Sequence, residues 1–162
     1  MEPGFVGHLF LWRHATPEDT DSDGDLARRL TPHGQAQAQK SAQWIGQILQ
    51  NHSLALQAIS SPATRACETM AALTTNYVVD SRLAPGRPGR EYLELVRHRL
   101  THATDAVVLV GHQPCIGEAI ASLMFDASAS VHVERSSVWW FAPDESAASG
   151  SSSVILRGLF AP

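Results

Sequence analysis

The stretch LFLWRHAT at residues 9–16 decides the fold, because an apolar run of strand length ends on an arginine and a histidine. Such a run is typical of a central strand in an α/β sheet, where ligands bind beyond the carboxyl ends of the strands. Burying the Arg13 guanidinium there is unfavourable unless an anion offsets its charge. Arg13 and His14 therefore indicate a phosphate-sized anion site with a reactive histidine. An Arg-His pair in an exposed turn is the alternative.

A second predicted strand, Leu54–Ile59, also runs directly into a helix. Ser61 is predicted to cap that helix, with Pro62 as its first residue, because proline is tolerated where no backbone N–H is needed. Arg65 falls in the first turn, where its charge opposes the helix dipole, so a bound anion would explain its position. A structural salt bridge, with Glu68 as one candidate partner, is the alternative.

The third such point follows the apolar strand at residues 106–110, which ends in Gly111-His112-Gln113-Pro114 before another helix. His112 taken alone fits a structural histidine. As the third polar residue between a strand and a helix, it favours a functional interpretation. Parallel strands place their carboxyl ends at one edge of a sheet, so these strand ends are predicted to converge into a strongly cationic pocket for a phosphoryl group. The pocket would contain Arg13, His14, Arg65 and His112.

The remaining elements predict a three-layer α/β/α sandwich with a mostly parallel central sheet. Thr31 and Pro32 begin a long helix, with a threonine N-cap and proline at the first helical position. Further elements are predicted at Tyr77–Val79 (strand), 91–100 (helix), 136–141 (strand) and Val154–Leu159 (strand), with loops at 81–90 and 143–153 and a short leader at 1–7.

Composition limits the possible functions. The 162 residues suit a single domain spanning 1–162, and the net charge of −4 argues against general nucleic-acid binding. No apolar run reaches membrane-spanning length and no signal peptide is evident, so we expect a cytoplasmic protein that does not associate with membranes. Cys67 and Cys115 stand in apolar helical contexts and are expected to be core residues, not a disulfide.

Several motifs together resemble the histidine phosphatase superfamily, which includes the phosphoglycerate mutases. LWRHA at 11–15 resembles the Arg-His-Gly signature, SPATRA at 61–66 with Glu68-Thr69 the second motif, and VGH at 110–112 the third. LT-x-x-G-x-x-QA at 30–38 matches the usual start of the first helix. The motifs keep the family's order over nearly the whole chain. The short length and the Val-Gly-His-Gln-Pro ending are similar to SixA-type phosphohistidine phosphatases.

This resemblance implies a phosphoglycerate mutase-like fold and a phosphatase that needs neither cofactor nor metal. His14 would attack phosphorus and become transiently phosphorylated, while Arg13, Arg65 and His112 bind the phosphoryl oxygens. Gln113 is added as a substrate-binding residue. The resemblance makes no prediction of oligomeric state.

Two departures from the family pattern concern Ala15 and the general acid. Ala15 replaces a glycine, which is a mild change if the backbone avoids positive φ. The region where larger members carry an acidic proton donor, residues 83–86, has no carboxylate. Glu18, Glu91, an aspartate of the acidic loop at 18–25, or no residue at all remain open as the acid. A solvated connection is the favoured interpretation of that loop, and a lid that holds a proton donor or repels unwanted anionic substrates is the alternative.

The lack of an obvious acid favours phosphohistidine as substrate, since an imidazole leaving group departs neutral once its ring is protonated, whereas an ester releases a strongly basic alkoxide. The expected partner is therefore a phosphohistidine-containing protein. A small phosphate ester is the second hypothesis, and a phosphate-binding or interaction module without turnover is the third.

Overall fold

The computed structural model describes residues 5–125, 128–147 and 153–162, which form a six-stranded sheet with helices on both faces. The strands and α-helices are β1 (His8–Arg13), α1 (Pro32–Asn51), β2 (Ala55–Ser60), α2 (Thr64–Ala71), β3 (Val78–Val79), α3 (Gly89–Arg97), β4 (Asp105–Gly111), α4 (Cys115–Phe125), β5 (Val138–Pro143) and β6 (Val154–Phe160). The strand order is β3-β2-β4-β1-β5-β6. The first four strands in this order pair in parallel, and β5 and β6 are antiparallel. The predicted α/β class with a mostly parallel sheet is confirmed.

Strand β1 shows why the molecule has three layers. Its side chains alternate between the two faces, and Leu9, Phe10, Leu11 and Trp12 are all fully buried. Leu9 and Leu11 pack in the core shared with α3 and α4, and Phe10 and Trp12 in the core shared with α1 and α2. A continuous apolar run is therefore needed because both faces of this strand are covered.

The start of α1 holds the segment that follows His14. The Thr31 hydroxyl accepts a hydrogen bond from the Gly34 backbone N–H at 2.9 Å, so the predicted N-cap is confirmed. Gly34 lies against the Thr16 carbonyl with no room for a Cβ atom. The Thr16 N–H and hydroxyl both donate to Gln37 Oε1, at 3.0 and 2.7 Å. These contacts attach the loop after β1 to a rigid helix.

Two helix starts differ from the prediction. α2 begins at Thr64, two residues after Pro62, and its N-cap is Ala63, whose side chain forms no capping bond. The Ser61 hydroxyl instead accepts from the Ala63 N–H at 3.2 Å. α3 begins at Gly89, within the predicted loop, because the Glu118 carboxylate on α4 accepts from the Gly89 N–H at 2.8 Å. A carboxylate 29 residues away is invisible to local sequence patterns.

Strand β5 begins at Val138 and not at residue 136, because Ser136 adopts a positive φ of 61°. Its N–H lies 3.1 Å from the Arg13 carbonyl and 3.2 Å from the His14 carbonyl. The turn before β5 is therefore bonded to the end of β1.

Some predictions concern features outside the sheet. Residues 1–4 of the predicted leader and 148–152 of the predicted loop lie outside the described residues. Cys67 and Cys115 are both free, and Cys115 is buried. Within the described segments, no helix has the length and apolar character needed to cross a bilayer.

Candidate active site

The strand ends meet at one edge of the sheet, as predicted. Arg13 at the end of β1 pairs in register with Gly111 of β4, and Ser60 at the end of β2 pairs with Val110. The next residues along these strands, His14, Ser61 and His112, therefore lie side by side. The His14 N–H donates to the Gly111 carbonyl at 3.1 Å.

His14 is a buried, neutral imidazole with a defined tautomer. The residue is only 6% exposed, and its Nδ1 lies 2.8 Å from the Ala15 carbonyl oxygen. Because a carbonyl only accepts, Nδ1 carries the hydrogen and Nε2 keeps its lone pair. Burial is the largest cause that lowers the pKa of His14 to about 3; the bond to Ala15 opposes it, and the nearby His112, Arg65 and Arg13 act in the same direction as burial. At neutral pH, Nε2 is therefore available as a nucleophile.

His112 lies next to His14, with ring centroids 5.1 Å apart. It is 3% exposed, its Nε2 is 2.7 Å from the Ser61 hydroxyl, and its backbone N–H donates to the Tyr92 hydroxyl at 3.2 Å. Burial, and after it the charge of Arg65, lowers the pKa of His112 to about 3. The prediction that two histidines add to the positive charge of the pocket is corrected. Both histidines are neutral, so the positive charge comes from the arginines.

Arg13 is held by the turn before β5. Its Nη1 donates to the Val133 carbonyl at 2.7 Å. Its Nε is buried and has no hydrogen-bond partner among the described residues. A buried donor without an acceptor is unfavourable, and an anion would supply the acceptor.

Arg65 is 4% exposed and is bound by the acidic loop. Its Nη1 donates to the Asp25 carbonyl at 2.9 Å, and its Nη2 lies 3.2 Å from the Asp25 carboxylate. Its Nε, like that of Arg13, is buried and finds no acceptor within the described part of the chain. The alternative interpretation, a structural salt bridge, is therefore present, but its partner is Asp25. The suggested partner Glu68 is wrong, because Glu68 binds Arg29 at 2.8 Å and the Leu30 N–H at 2.7 Å.

Asp25 is the carboxylate that the structure places on a site arginine. Burial alone would raise its pKa, but the charges and hydrogen bonds of Arg65 and Arg28 outweigh burial and lower the pKa below its usual value. Asp25 is therefore ionised at neutral pH. Glu91, another candidate acid, is held by Arg87 at 2.6 Å on the first turn of α3.

Ala15 fits the site without strain. In the described ranges, the non-glycine residues with positive φ are Ser53 and Ser136, so Ala15 has an ordinary backbone conformation, as its replacement of glycine requires. Its N–H donates to the Thr69 hydroxyl at 3.0 Å, and that hydroxyl donates to the Arg65 carbonyl at 2.7 Å. Thr69 thus ties the loop carrying His14 to the helix carrying Arg65.

Gln113 directs its amide nitrogen toward the segment before β5. Nε2 donates to the Val131 carbonyl at 2.9 Å and lies 3.3 Å from the Ser130 hydroxyl. Its Oε1 is buried with no partner that the described chain provides. Its assignment to substrate binding stays a prediction.

The contacts of four residues with the site were missed from the sequence, namely those of Asp25, Ser61, Thr69 and Tyr92. Ser61 was predicted only as a helix cap and Asp25 only as one of several carboxylates that could be the acid, and Thr69 and Tyr92 were given no role. Ser61 and Thr69 stand in the second motif, so the motif match was the signal that could have found them. Asp25 and Tyr92 contact Arg65 and His112 across 40 and 20 residues, which no local pattern reveals.

The two buried histidines should make the chain less stable in acid. An unfolded histidine titrates near 6.5, whereas burial holds the pKa of His14 and His112 at about 3 in the folded chain. Between these two pKa values the unfolded state binds more protons than the folded state. The stabilisation that the two histidines contribute is therefore fully present above the unfolded pKa and is lost as the pH falls toward the folded pKa. We expect the free energy of unfolding by urea to fall with pH through this window. His14→Gln and His112→Gln should each reduce the slope by about one proton. Slopes unchanged in both variants would contradict the buried neutral state.

A family model matches part of the sequence. The family model of the histidine phosphatase superfamily (branch 1) matches residues 9–86, which carry β1, α1, β2 and α2 with His14 and Arg65. Over these residues, just under half of the chain, the sequence is similar to the histidine phosphatase superfamily. None of the curated proteins matches the sequence significantly.

Solved structures show where the fold recurs. A protein described as the phosphohistidine phosphatase SixA of Agrobacterium tumefaciens has a TM-score of 0.76 at 21% identity, over 98% of this chain and 99% of that chain. The protein histidine phosphatase SixA complexed with tungstate has a TM-score of 0.72 at 19% identity, over 95% of this chain and 96% of that chain. A phosphoserine phosphatase mutant from Entamoeba histolytica, in complex with phosphoserine, has a TM-score of 0.68 at 15% identity, over 95% of this chain and 96% of that chain. The chain therefore has the phosphoglycerate mutase-like fold of these proteins.

Proposed function

We propose that the chain hydrolyses protein phosphohistidine through a phosphorylated His14. The observation that carries this choice of substrate is the ionised state of Asp25, because the carboxylate held at the site by Arg65 is a poor proton donor. Phosphohistidine needs no such donor, since its leaving imidazole is protonated on the ring. The likeness of the fold to SixA supports the same substrate class.

In the first step, His14 Nε2 donates its lone pair to phosphorus in line with the leaving group. The new N–P bond forms as the substrate's N–P bond breaks, and the substrate histidine leaves as a neutral imidazole. The His14 Nδ1–H, bound to the Ala15 carbonyl 2.8 Å away, keeps the ring oriented during this attack. Charge on the three equatorial oxygens is met by Arg13, Arg65 and His112, and the buried Nε donors of the two arginines gain acceptors.

In the second step, water attacks phosphorus and the bond to Nε2 breaks. The water oxygen joins the phosphate, its protons pass to phosphate or solvent, and His14 returns to the neutral form. Because burial disfavours the imidazolium, His14 is regenerated as a nucleophile without a separate base.

Asp25 would have to release Arg65 before a phosphoryl group binds there fully. We therefore expect Asp25→Asn to bind inorganic phosphate several-fold more tightly, because it removes a competing carboxylate near the anion site. Its kcat on phosphohistidine should stay within about threefold of wild type, since a general acid would contribute about 10²-fold or more. Competitive inhibition by phosphate and steady-state rates test this. Glu91→Gln, which alters a carboxylate held by Arg87, is the matched control. A collapse of kcat in Asp25→Asn alone would instead make Asp25 the proton donor.

The substrate class is tested by comparing kcat/KM for a phosphohistidine protein with kcat/KM for a panel of alkyl phosphate esters. We expect the phosphohistidine protein to be hydrolysed at least about 10²-fold faster, the contribution normally made by a positioned acid. Esters hydrolysed faster than phosphohistidine would overturn the proposed substrate and favour a small phosphate ester. No turnover of either class would favour the non-catalytic binding module. The cytoplasmic location and the single domain over 1–162 stay predictions.

A further inference from the structure

A polar groove adjoins the site on the side of Arg13. It has a volume of about 680 Å³, and its lining includes Arg13, Thr16, Gln37, His132, Glu134 and Arg135. Arg13 and Thr16, which line the groove, precede His14 by one residue and follow it by two. It lies on the side of the turn before β5, whereas Asp25 contacts the site through Arg65. A substrate group attached to the phosphoryl group can therefore extend into it.

Arg135 is a free cation in this groove. Its side chain is exposed, and within the described ranges it forms no hydrogen bond or ion pair. Glu134, beside it, is 3.2 Å from His132 Nε2. Two guanidinium groups, those of Arg13 and Arg135, interact unfavourably here. Burial and then the charge of Arg135 lower the pKa of Arg13, while Glu134 partly opposes them.

Two arginines that share a groove match two anionic groups on one ligand. The phosphoryl group satisfies Arg13, whose Nε has no acceptor in the described chain. A second anion is left for Arg135. Because the planar guanidinium binds carboxylates through paired hydrogen bonds, a carboxylate fits this position.

We propose that Arg135 forms a subsite for a carboxylate that the substrate carries next to its phosphoryl group. This inference rests on the proposed function and names a feature of its substrate: an acidic residue close to the phosphohistidine. Arg135 is a specificity-determining residue and takes no part in the chemical steps.

The test compares two phosphohistidine peptides that differ only in glutamate or glutamine beside the phosphorylated residue. We expect the wild-type chain to prefer the glutamate peptide about threefold in kcat/KM, the size of one partly exposed ion pair. Arg135→Ala should remove this preference through KM, and Arg135→Glu should reverse it. Arg97→Ala and Arg97→Glu are controls of equal charge, since Arg97 ends α3 and the segment after it contacts Val6, before the start of β1, through the Leu100 carbonyl. They should leave the preference unchanged.

A second measurement keeps the inference independent of turnover. In a His14→Ala background, calorimetry gives the affinity of both peptides, with and without Arg135→Ala. A glutamate preference that Arg135→Ala removes supports the subsite even if the proposed hydrolysis fails. A preference that is absent, or that survives in Arg135→Ala, overturns it. The same comparison with 3-phosphoglycerate and glycerol 3-phosphate shows whether a small-molecule carboxylate also uses the subsite. A larger Arg135-dependent preference there than with the peptides would overturn the assignment to a protein substrate.

Discussion

Replacing His14 with alanine is expected to lower kcat/KM for phosphohistidine by at least about 10⁴-fold, the usual loss when a nucleophile is removed. The loss follows from geometry. His14 Nε2 keeps a free lone pair, because Nδ1 donates its hydrogen to the Ala15 carbonyl. The Nε2 atom of the neighbouring His112 is instead hydrogen-bonded to the Ser61 hydroxyl. Binding of inorganic phosphate should fall only partly, because Arg13 and Arg65 remain.

The matched control is His33→Ala, which removes an exposed histidine near the start of α1 and should leave the rate unchanged. Steady-state kinetics and calorimetry with phosphate are the measurements. A His14→Ala protein that is folded and turns over phosphohistidine at a rate near wild type would remove the nucleophile from the account.

Replacing Arg65 with alanine is expected to reduce kcat by about 10²- to 10³-fold, or about 3–4 kcal/mol of transition-state stabilisation, as for other preorganised donors. Arg65 is almost fully buried and keeps one donor, Nε, without a partner in the described chain. Arg65→Lys should recover little of the loss, since an ammonium group cannot reproduce the planar fork of the guanidinium.

Arg29→Ala is the control for Arg65, because Arg29 is an exposed arginine that binds Glu68 beside the same loop. Its kcat should stay close to wild type. Equal losses in the Arg29 and Arg65 variants would mean that the loop between β1 and α1, and not the guanidinium of Arg65, supports catalysis. Measuring kcat and KM separately distinguishes the two explanations.

The sequence predicted the sheet and the meeting of its strand ends because these depend on local patterns. Short continuous apolar runs such as 9–12 and 106–110 are typical of strands that are covered on both faces, and the carboxyl ends of parallel strands lie at one edge of the sheet. Thr31 and Pro32 placed the start of α1 for the same reason, since an N-cap and a first-turn proline act within a few residues.

The partners of the site residues could not be predicted, because they join distant segments. Asp25, not the nearby Glu68, reaches Arg65, since the 3-10 helix at Asp25–Ala27 brings its carboxylate across the site. The Ser61 hydroxyl bonds His112 instead of simply capping a helix. The neutral state of both histidines follows from burial, which only the folded chain reveals.

The most direct measurement is the position of the phosphoryl group after brief reaction with labelled phosphohistidine protein, followed by quenching in alkali and mapping of the labelled peptide. The account predicts label on His14 alone, as the Nε2-phosphorylated isomer, and none in His14→Ala. Label on any other residue, or on Nδ1 of His14, would contradict it.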